Sequence, residues 1–259
     1  MRRILDWVGT ILFLPVFGLT LVVFDVLQRL AKACGKRPHD YMVACMCTAL
    51  VTGFRITGLR LRVERHPTVR SHRPYVIISN HQSMFDIALL GHVFFSNFPK
   101  YVSKRELAKW IPSVSYNLKR GGSALINRGD PVQAVAAIHE LGARVERNGV
   151  SAVIFPEGTR ARRGELGVFK PRGTLALLES TPTTAVVPVT IDESWRLMRA
   201  NFLPVPFGTH VRIRIGAPIP RQPGEDHEAL LERVRDEIAA TLADFRGERS
   251  TPPRIAAAR

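Results

Sequence analysis

The hydrophobic pattern divides the chain into two unlike parts. Residues 7–24 read WVGTILFLPVFGLTLVVF and carry no charge. As a helix this run is about 27 Å long, close to the hydrocarbon thickness of a bilayer. Pro15 and Gly18 fall inside it, and membrane helices tolerate both. A second apolar run, YMVACMCTALVTGF (41–54), is short for a span, so an interfacial or re-entrant helix is expected there. The basic stretch QRLAKACGKRPHD joins the two, and together they are expected to form a membrane-associated helical hairpin that either spans the bilayer or dips into one leaflet.

After Arg55 the pattern becomes short and alternating. YVIIS (75–79), ALI (124–126), AVIF (152–155) and AVVPV (185–189) are almost uncharged and rich in β-formers, as strands buried on both faces are. The spacing of Ala134, Ile138, Leu141 and Val145 predicts a helix over 131–148, with Asp130 as its N-cap, Pro131 as its first residue and Gly149 as its stop. HVRIRIG (210–216) alternates apolar residues with arginine, as a half-exposed strand does. Leu231, Val234, Ile238, Leu242 and Phe245 mark one face of a last helix. Strands alternating with helices predict a three-layer α/β domain. Pro188 places its strand near an edge or at a bulge. The expected organisation is a membrane-associated helical hairpin at 1–58, an α/β domain at 59–245 and a basic, disordered tail at 246–259.

Charge narrows the partners. The chain has 37 Lys+Arg against 22 Asp+Glu, a net charge of +15, which suits nucleic acid, anionic lipid or a phosphorylated substrate. The apolar N-terminus favours lipid. A cleaved signal peptide is disfavoured by the length of the first run and by the lack of a small-residue cleavage site directly after it; a buried core helix is the other alternative. Basic residues flank the run on both sides, so the positive-inside rule gives it no orientation. Cys34, Cys45 and Cys47 show no CxxC spacing and read as reduced thiols.

Four clusters at strand ends carry the candidate chemistry. NHQSMFD (80–86) sets His81 and Asp86 at a strand-to-helix seam. Histidine is suited to take a proton near neutral pH, and a neighbouring acid can hold its tautomer and stabilise the imidazolium. A spacing of five works if His81 precedes the helix and Asp86 lies in its first turn facing back. Alternatively Asn80 or Ser83 caps the helix and Asp86 favours its dipole, or the pair binds a metal, or Ser83 is a nucleophile, although no GxSxG surrounds it. GGSALINR (121–128) leads a double glycine into a strand ending at Arg128, which alone reads as a turn with a solvated arginine. FPEGTR (155–160) follows a strand with a tight turn, an acid and the forked cation Arg160, a loop suited to phosphate or an ordinary basic surface loop. VVPV (186–189) is the fourth.

In this order, behind an apolar N-terminus, the clusters resemble the glycerophospholipid acyltransferase family, in particular its 1-acylglycerol-3-phosphate acyltransferases. NHQSMFD matches the family's NHxxxxD block, and GGSALINR, FPEGTR and VVPV resemble its next three. SKREL (103–107) and FKPRG (169–173) look like two further recurrent stretches. Three positions depart from the pattern: Asn127 where Asp is common, Ala161 where Ser is common, and Ser115 where Gly is often found. The resemblance implies a three-layer acyltransferase-like domain. It implies transfer of an acyl chain from acyl-CoA or an acyl carrier protein thioester to the sn-2 hydroxyl of lysophosphatidate, with no cofactor and no metal. His81 would be the base and Asp86 its partner. Lys104, Arg128 and Arg160 would hold the acceptor's phosphate, and Glu157, Gly158 and Thr159 would shape the turn that presents Arg160. The implied location is a membrane, at the cytoplasmic face of the bacterial inner membrane, with anionic lipid and no nucleic acid as partner. Another lysolipid or lyso-aminolipid acceptor, a non-catalytic basic binding protein and a metal hydrolase are the competing readings.

Overall fold

The computed structural model describes residues 2–247. The tail expected from 246 onward lies, after Gly247, outside the described residues, and Arg246 itself ends a helix. In chain order the elements are α1 (Arg2–Ala33), α2 (Lys36–Gly53), β1 (Arg60–Arg65), β2 (Val76–Ser79), α3 (Asp86–Val93), β3 (Lys100–Lys104), α4 (Val114–Arg120), β4 (Ala124–Ile126), α5 (Pro131–Asn148), β5 (Ala152–Ile154), α6 (Pro171–Glu179), β6 (Val186–Asp192), β7 (His210–Ile215) and α7 (His227–Arg246).

The strands form one sheet in the order β1-β7-β6-β2-β5-β3-β4. From β6 to β4 all neighbours are parallel; β7 runs antiparallel to β6, and β1 runs parallel to β7. Alternate residues of the central strands feed two cores. Ile77, Val153, Val187 and Val189 join Leu50 of α2, Leu89 and Leu90 of α3 and Phe13 of α1. Val76, Ile78, Ala152 and Val186 join Leu141 of α5, Leu177 of α6 and Val234 of α7. Helices thus cover both faces of the sheet, giving the three-layer α/β architecture that the short apolar runs predict. Each fully buried aliphatic side chain in these cores is worth about 1.5–3 kcal/mol.

Local signals place the long helices. Asp130 accepts the Gln133 N–H at 3.0 Å, Pro131 opens α5, and Gly149 stops it at φ 60°. The expectation that Pro188 marks an edge strand is corrected, because β6 lies inside the sheet between β7 and β2. A bulge does surround it. The Pro188 carbonyl accepts the Gly216 N–H, and the next bridge to that neighbour is Val186 with Ile219. A strand residue turns its N and its C=O to the same side, so the missing N–H faces the interruption between Gly216 and Ile219.

α1 has two apolar faces. Its inner face carries Thr10, Phe13, Leu21 and Gln28, all buried. Thr10 accepts the Val205 N–H at 2.9 Å, Asp6 accepts the Phe207 N–H at 2.7 Å, and Gln28 donates to Ser113 at 2.5 Å. The helix is therefore tied along the domain at both ends. Its outer face exposes Ile4, Ile11, Leu12, Leu19, Val22 and Leu30. Among the described residues it is the one helix long and apolar enough to cross a membrane, and only 17% of its most apolar stretch is buried.

Candidate active site

Five parallel strands end on one edge of the sheet, and the sequence clusters meet there. His81 lies two residues beyond β2, Phe155 follows β5, Lys104 is the last residue of β3, Arg128 lies two beyond β4, and Ser194 lies two beyond β6. Open α/β sheets place ligands at this edge.

Asp86 is the first residue of α3 and is fully buried. Its Oδ2 accepts from His81 Nδ1 at 2.9 Å and from the backbone N–H groups of Gln82 and Ser83 at 2.7 and 2.8 Å. Its Oδ1 accepts from the Ser194 hydroxyl at 2.6 Å. A carboxylate held by these donors is acceptor-only, so Nδ1 of His81 carries the ring proton and Nε2 is left with a free lone pair. Nε2 has no protein partner among the described residues, and the His81 side chain is 16% exposed. The imidazole stacks on Phe155, centroids 4.1 Å apart and planes inclined by 17°. One nitrogen bonded, one face covered and the other nitrogen open is the geometry of an oriented general base.

The capping expectation is corrected in detail. Phe85 is the N-cap of α3 and makes no side-chain cap. Ser83 Oγ accepts the Phe85 N–H at 3.2 Å, just ahead of the helix. Asn80 does something else: its side chain donates to the Ile191 carbonyl and accepts the Ile191 N–H, both at 2.8 Å, so it imitates one strand pairing with β6.

Glu157 ties the third cluster to the first. Its Oε1 accepts the His81 N–H at 2.7 Å and its Oε2 the Gly167 N–H at 2.8 Å. Burial pushes this carboxyl up to about 7, against the lowering by those two N–H bonds. Ala161, next to Arg160, donates its N–H to the His81 carbonyl at 2.7 Å. Gly158 sits at φ 65°, a conformation that suits glycine. The Arg128 guanidinium donates to the Gly158 carbonyl, so the second cluster reaches the same turn. The structure thus joins His81, Asp86, Arg128, Glu157 and Gly158 in one network. Thr159, Arg160 and Lys104 are exposed at the same edge, and no side-chain bond joins them to that network among the described residues. Sequence reasoning missed Ser194, which stands 108 residues from Asp86 in the chain, and the Phe155 stack. Among the described residues no group of three or more His, Cys, Asp or Glu side chains is placed to hold a metal ion.

Fold and site together define an α/β protein with an oriented histidine beside an arginine-bearing turn. The chain belongs to the acyltransferase family, whose sequence model matches residues 60–192. It is similar to the 1-acyl-sn-glycerol-3-phosphate acyltransferase of Saccharomyces cerevisiae, at 25% identity over 67% of this chain and 57% of that one. It is also similar to the chloroplastic 1-acyl-sn-glycerol-3-phosphate acyltransferase LPAT1 of Arabidopsis thaliana, at 31% over 66% and 46%. With the 1-acyl-sn-glycerol-3-phosphate acyltransferase of Pseudomonas aeruginosa the identity is 30% over 73% and 72%. The matched segment thus spans only about half of the yeast and plant proteins. The crystal structure of the 1-acyl-sn-glycerophosphate (LPA) acyltransferase PlsC from Thermotoga maritima superposes with a TM-score of 0.78 at 21% identity, over 97% of this chain and 100% of that one, and shares the fold.

Proposed function

We propose that this chain is a membrane-associated 1-acyl-sn-glycerol-3-phosphate O-acyltransferase, making phosphatidate from lysophosphatidate and an acyl thioester. The observation that carries the reading is the His81–Asp86 pair, its acid fully buried, which leaves Nε2 free at the strand edge where the arginine-bearing turn lies. His81 Nε2 takes the proton of the sn-2 hydroxyl as that oxygen attacks the thioester carbonyl. Asp86 stabilises the imidazolium. The tetrahedral intermediate then expels the thiolate, which recovers the proton from His81. Base catalysis of this kind contributes about 10²–10⁴-fold, and no covalent enzyme intermediate is required.

Arg128, Arg160 and Lys104 hold the acceptor's phosphate, with Glu157, Gly158 and Thr159 shaping the turn beneath it. Holding both substrates in one geometry supplies much of the remaining acceleration. The donor is acyl-CoA or an acyl-acyl carrier protein. No cofactor or metal takes part in this scheme. α1 is held to the domain near both ends and turns an apolar face outward, so we read it as embedded in one leaflet through that face. The net charge of +15 then serves anionic lipid rather than nucleic acid, at about 1 kcal/mol for each cation near the surface. We read its location as the cytoplasmic face of a bacterial inner membrane, where soluble thioester donors are available.

The test is an acceptor-and-donor panel with the purified full chain in detergent. Phosphatidate is expected from lysophosphatidate, and a chain inactive on every lysolipid would sink the reading. His81→Ala is expected to abolish turnover while folding and membrane association persist. Arg160→Ala is expected to raise the acceptor KM, and an effect confined to the thioester KM would refute its phosphate role.

A further inference from the structure

Beyond β3 the chain enters a segment that turns two large apolar side chains outward, while Ala108 is buried and Ile111 packs on the core. Trp110 is 95% exposed and Leu107 is 43% exposed. The backbone is held to do this: Trp110 and Ser113, neither of them glycine, sit at φ 68° and 65°. Such left-handed conformations are unfavourable for ordinary side chains and persist where the surroundings enforce them. At Ser113 that enforcement comes from α1. The Ser113 N–H donates to Asp25 at 2.6 Å, the buried Gln28 donates to Ser113 Oγ at 2.5 Å, and Arg29 lies over the Tyr116 ring at 4.5 Å. These anchors fix the segment beside the half of α1 that exposes Val22, Val23, Val26, Leu27 and Leu30. Lys104, Arg105 and Lys109 flank the tryptophan and are exposed.

We infer that residues 105–112 form a second membrane contact, with Trp110 and Leu107 entering the bilayer interface beside α1 and Arg105 and Lys109 meeting anionic headgroups. Tryptophan combines a large apolar ring with one N–H donor, which suits the boundary between acyl chains and headgroups. The inference rests on the reading of α1 as membrane-embedded, because continuity with its apolar face identifies a bilayer as the occupant. It also gives the segment a purpose in the proposed reaction. β3 ends at the edge of the sheet that carries His81, so docking this segment sets that edge at headgroup level, where a lysophospholipid resides.

The chain has three tryptophans, Trp7, Trp110 and Trp195, so each can be read alone. The W7F/W195F chain reports Trp110, and the W110F/W195F chain reports Trp7 on α1. Both are reconstituted full-length into vesicles of phosphatidylcholine and phosphatidylglycerol, with or without bromine on the acyl chains as quencher. Quenching of Trp110 by the brominated lipid, with loss of quenching by aqueous acrylamide, is the expected result. Trp110 emission indifferent to brominated lipid while Trp7 is quenched would overturn the inference and leave the α1 reading standing. If neither is quenched, both readings fall. A Trp110 shielded from acrylamide only at high protein concentration, and never by brominated lipid, would mark a contact between copies of the chain and overturn the inference. W110S in the otherwise native chain gives a second measurement: turnover of an acceptor in detergent micelles unchanged, turnover of the same acceptor in vesicles reduced. Native turnover in both would overturn the inference.

Discussion

Asp86 is held from a distant part of the chain by its bond to Ser194. Both side chains are fully buried, and the hydroxyl is the donor to Oδ1. A hydrogen bond to a charged group is worth about 1.5–3 kcal/mol, and its loss leaves a buried acceptor unsatisfied. Ser194→Ala is therefore expected to lower kcat about tenfold or more, at 1.4 kcal/mol per factor of ten. KM should stay near native, and Ser194→Thr, which keeps the hydroxyl, should recover most of the turnover; a chain whose melting temperature falls while kcat holds would show a structural role only. Glu157 makes a second prediction. Its folded pKa is raised to about 7 from the ordinary 4.5 by burial, so between those values the folded state holds more protons than the unfolded one. The associated stability is complete below pH 4.5 and is lost as pH rises through about 7, up to about 3 kcal/mol in all. Denaturation in detergent at pH 5.5 and pH 8 should show that slope in the native chain, and Glu157→Gln should flatten it. His81, Asp86 and Glu157 were legible as motif residues. Ser194 was not, because a lone serine after a strand has no local pattern and acts only through a partner the fold brings to it.

At the scale of elements, legibility followed burial. β2, β5 and β6 are covered on both faces and read as unbroken apolar runs. β1, RLRVER, is a largely exposed edge strand, and nothing in its sequence separates it from a charged loop. β3, KYVSK, opens with a buried lysine, which composition alone assigns to the surface. That lysine is explained by α2: Lys100 Nζ meets Asp40 Oδ1 at 2.6 Å, and both residues are almost fully buried. The pair ties the start of α2 to the sheet. Removing one partner of a buried pair strands the other charge and costs about 3–5 kcal/mol, whereas replacing both with apolar groups does not. Asp40→Asn should lower the melting temperature by about 10 °C in detergent, at roughly 2–4 °C per kcal/mol for a chain of this size. Adding Lys100→Met should recover part of the loss. If the double variant melts no higher than the single one, the pair is not the link between these elements.

On the scale of the whole molecule, α1 presents two unlike surfaces, one buried on the domain and one apolar and exposed. Of the two alternatives for residues 7–24, the inner face packs as a core helix does, and the outer face stays apolar and exposed, as the membrane reading requires. Phe13 is fully buried, with its ring 4.3 Å from that of Phe54, which lies 4.5 Å from Phe85. Phe85 immediately precedes Asp86, so the aromatic stack runs from α1 to the His81–Asp86 pair. A helix serving only as an anchor could be removed to leave a soluble, folded domain. α1 cannot, because its loss would uncover Phe54, Phe85 and the sheet face behind them. A chain lacking residues 2–33 is therefore expected to aggregate or to elute as an expanded species, with no cooperative melt. Phe13→Ala, which leaves the outer face untouched, is expected to cost about 3–5 kcal/mol of stability and to lower kcat while the chain stays in the membrane fraction. A truncated chain that melts like the native one would show that the sheet is completed without α1. In that case residues 7–24 would be an anchor alone, and the coupling between membrane segment and catalytic pair would be lost with it.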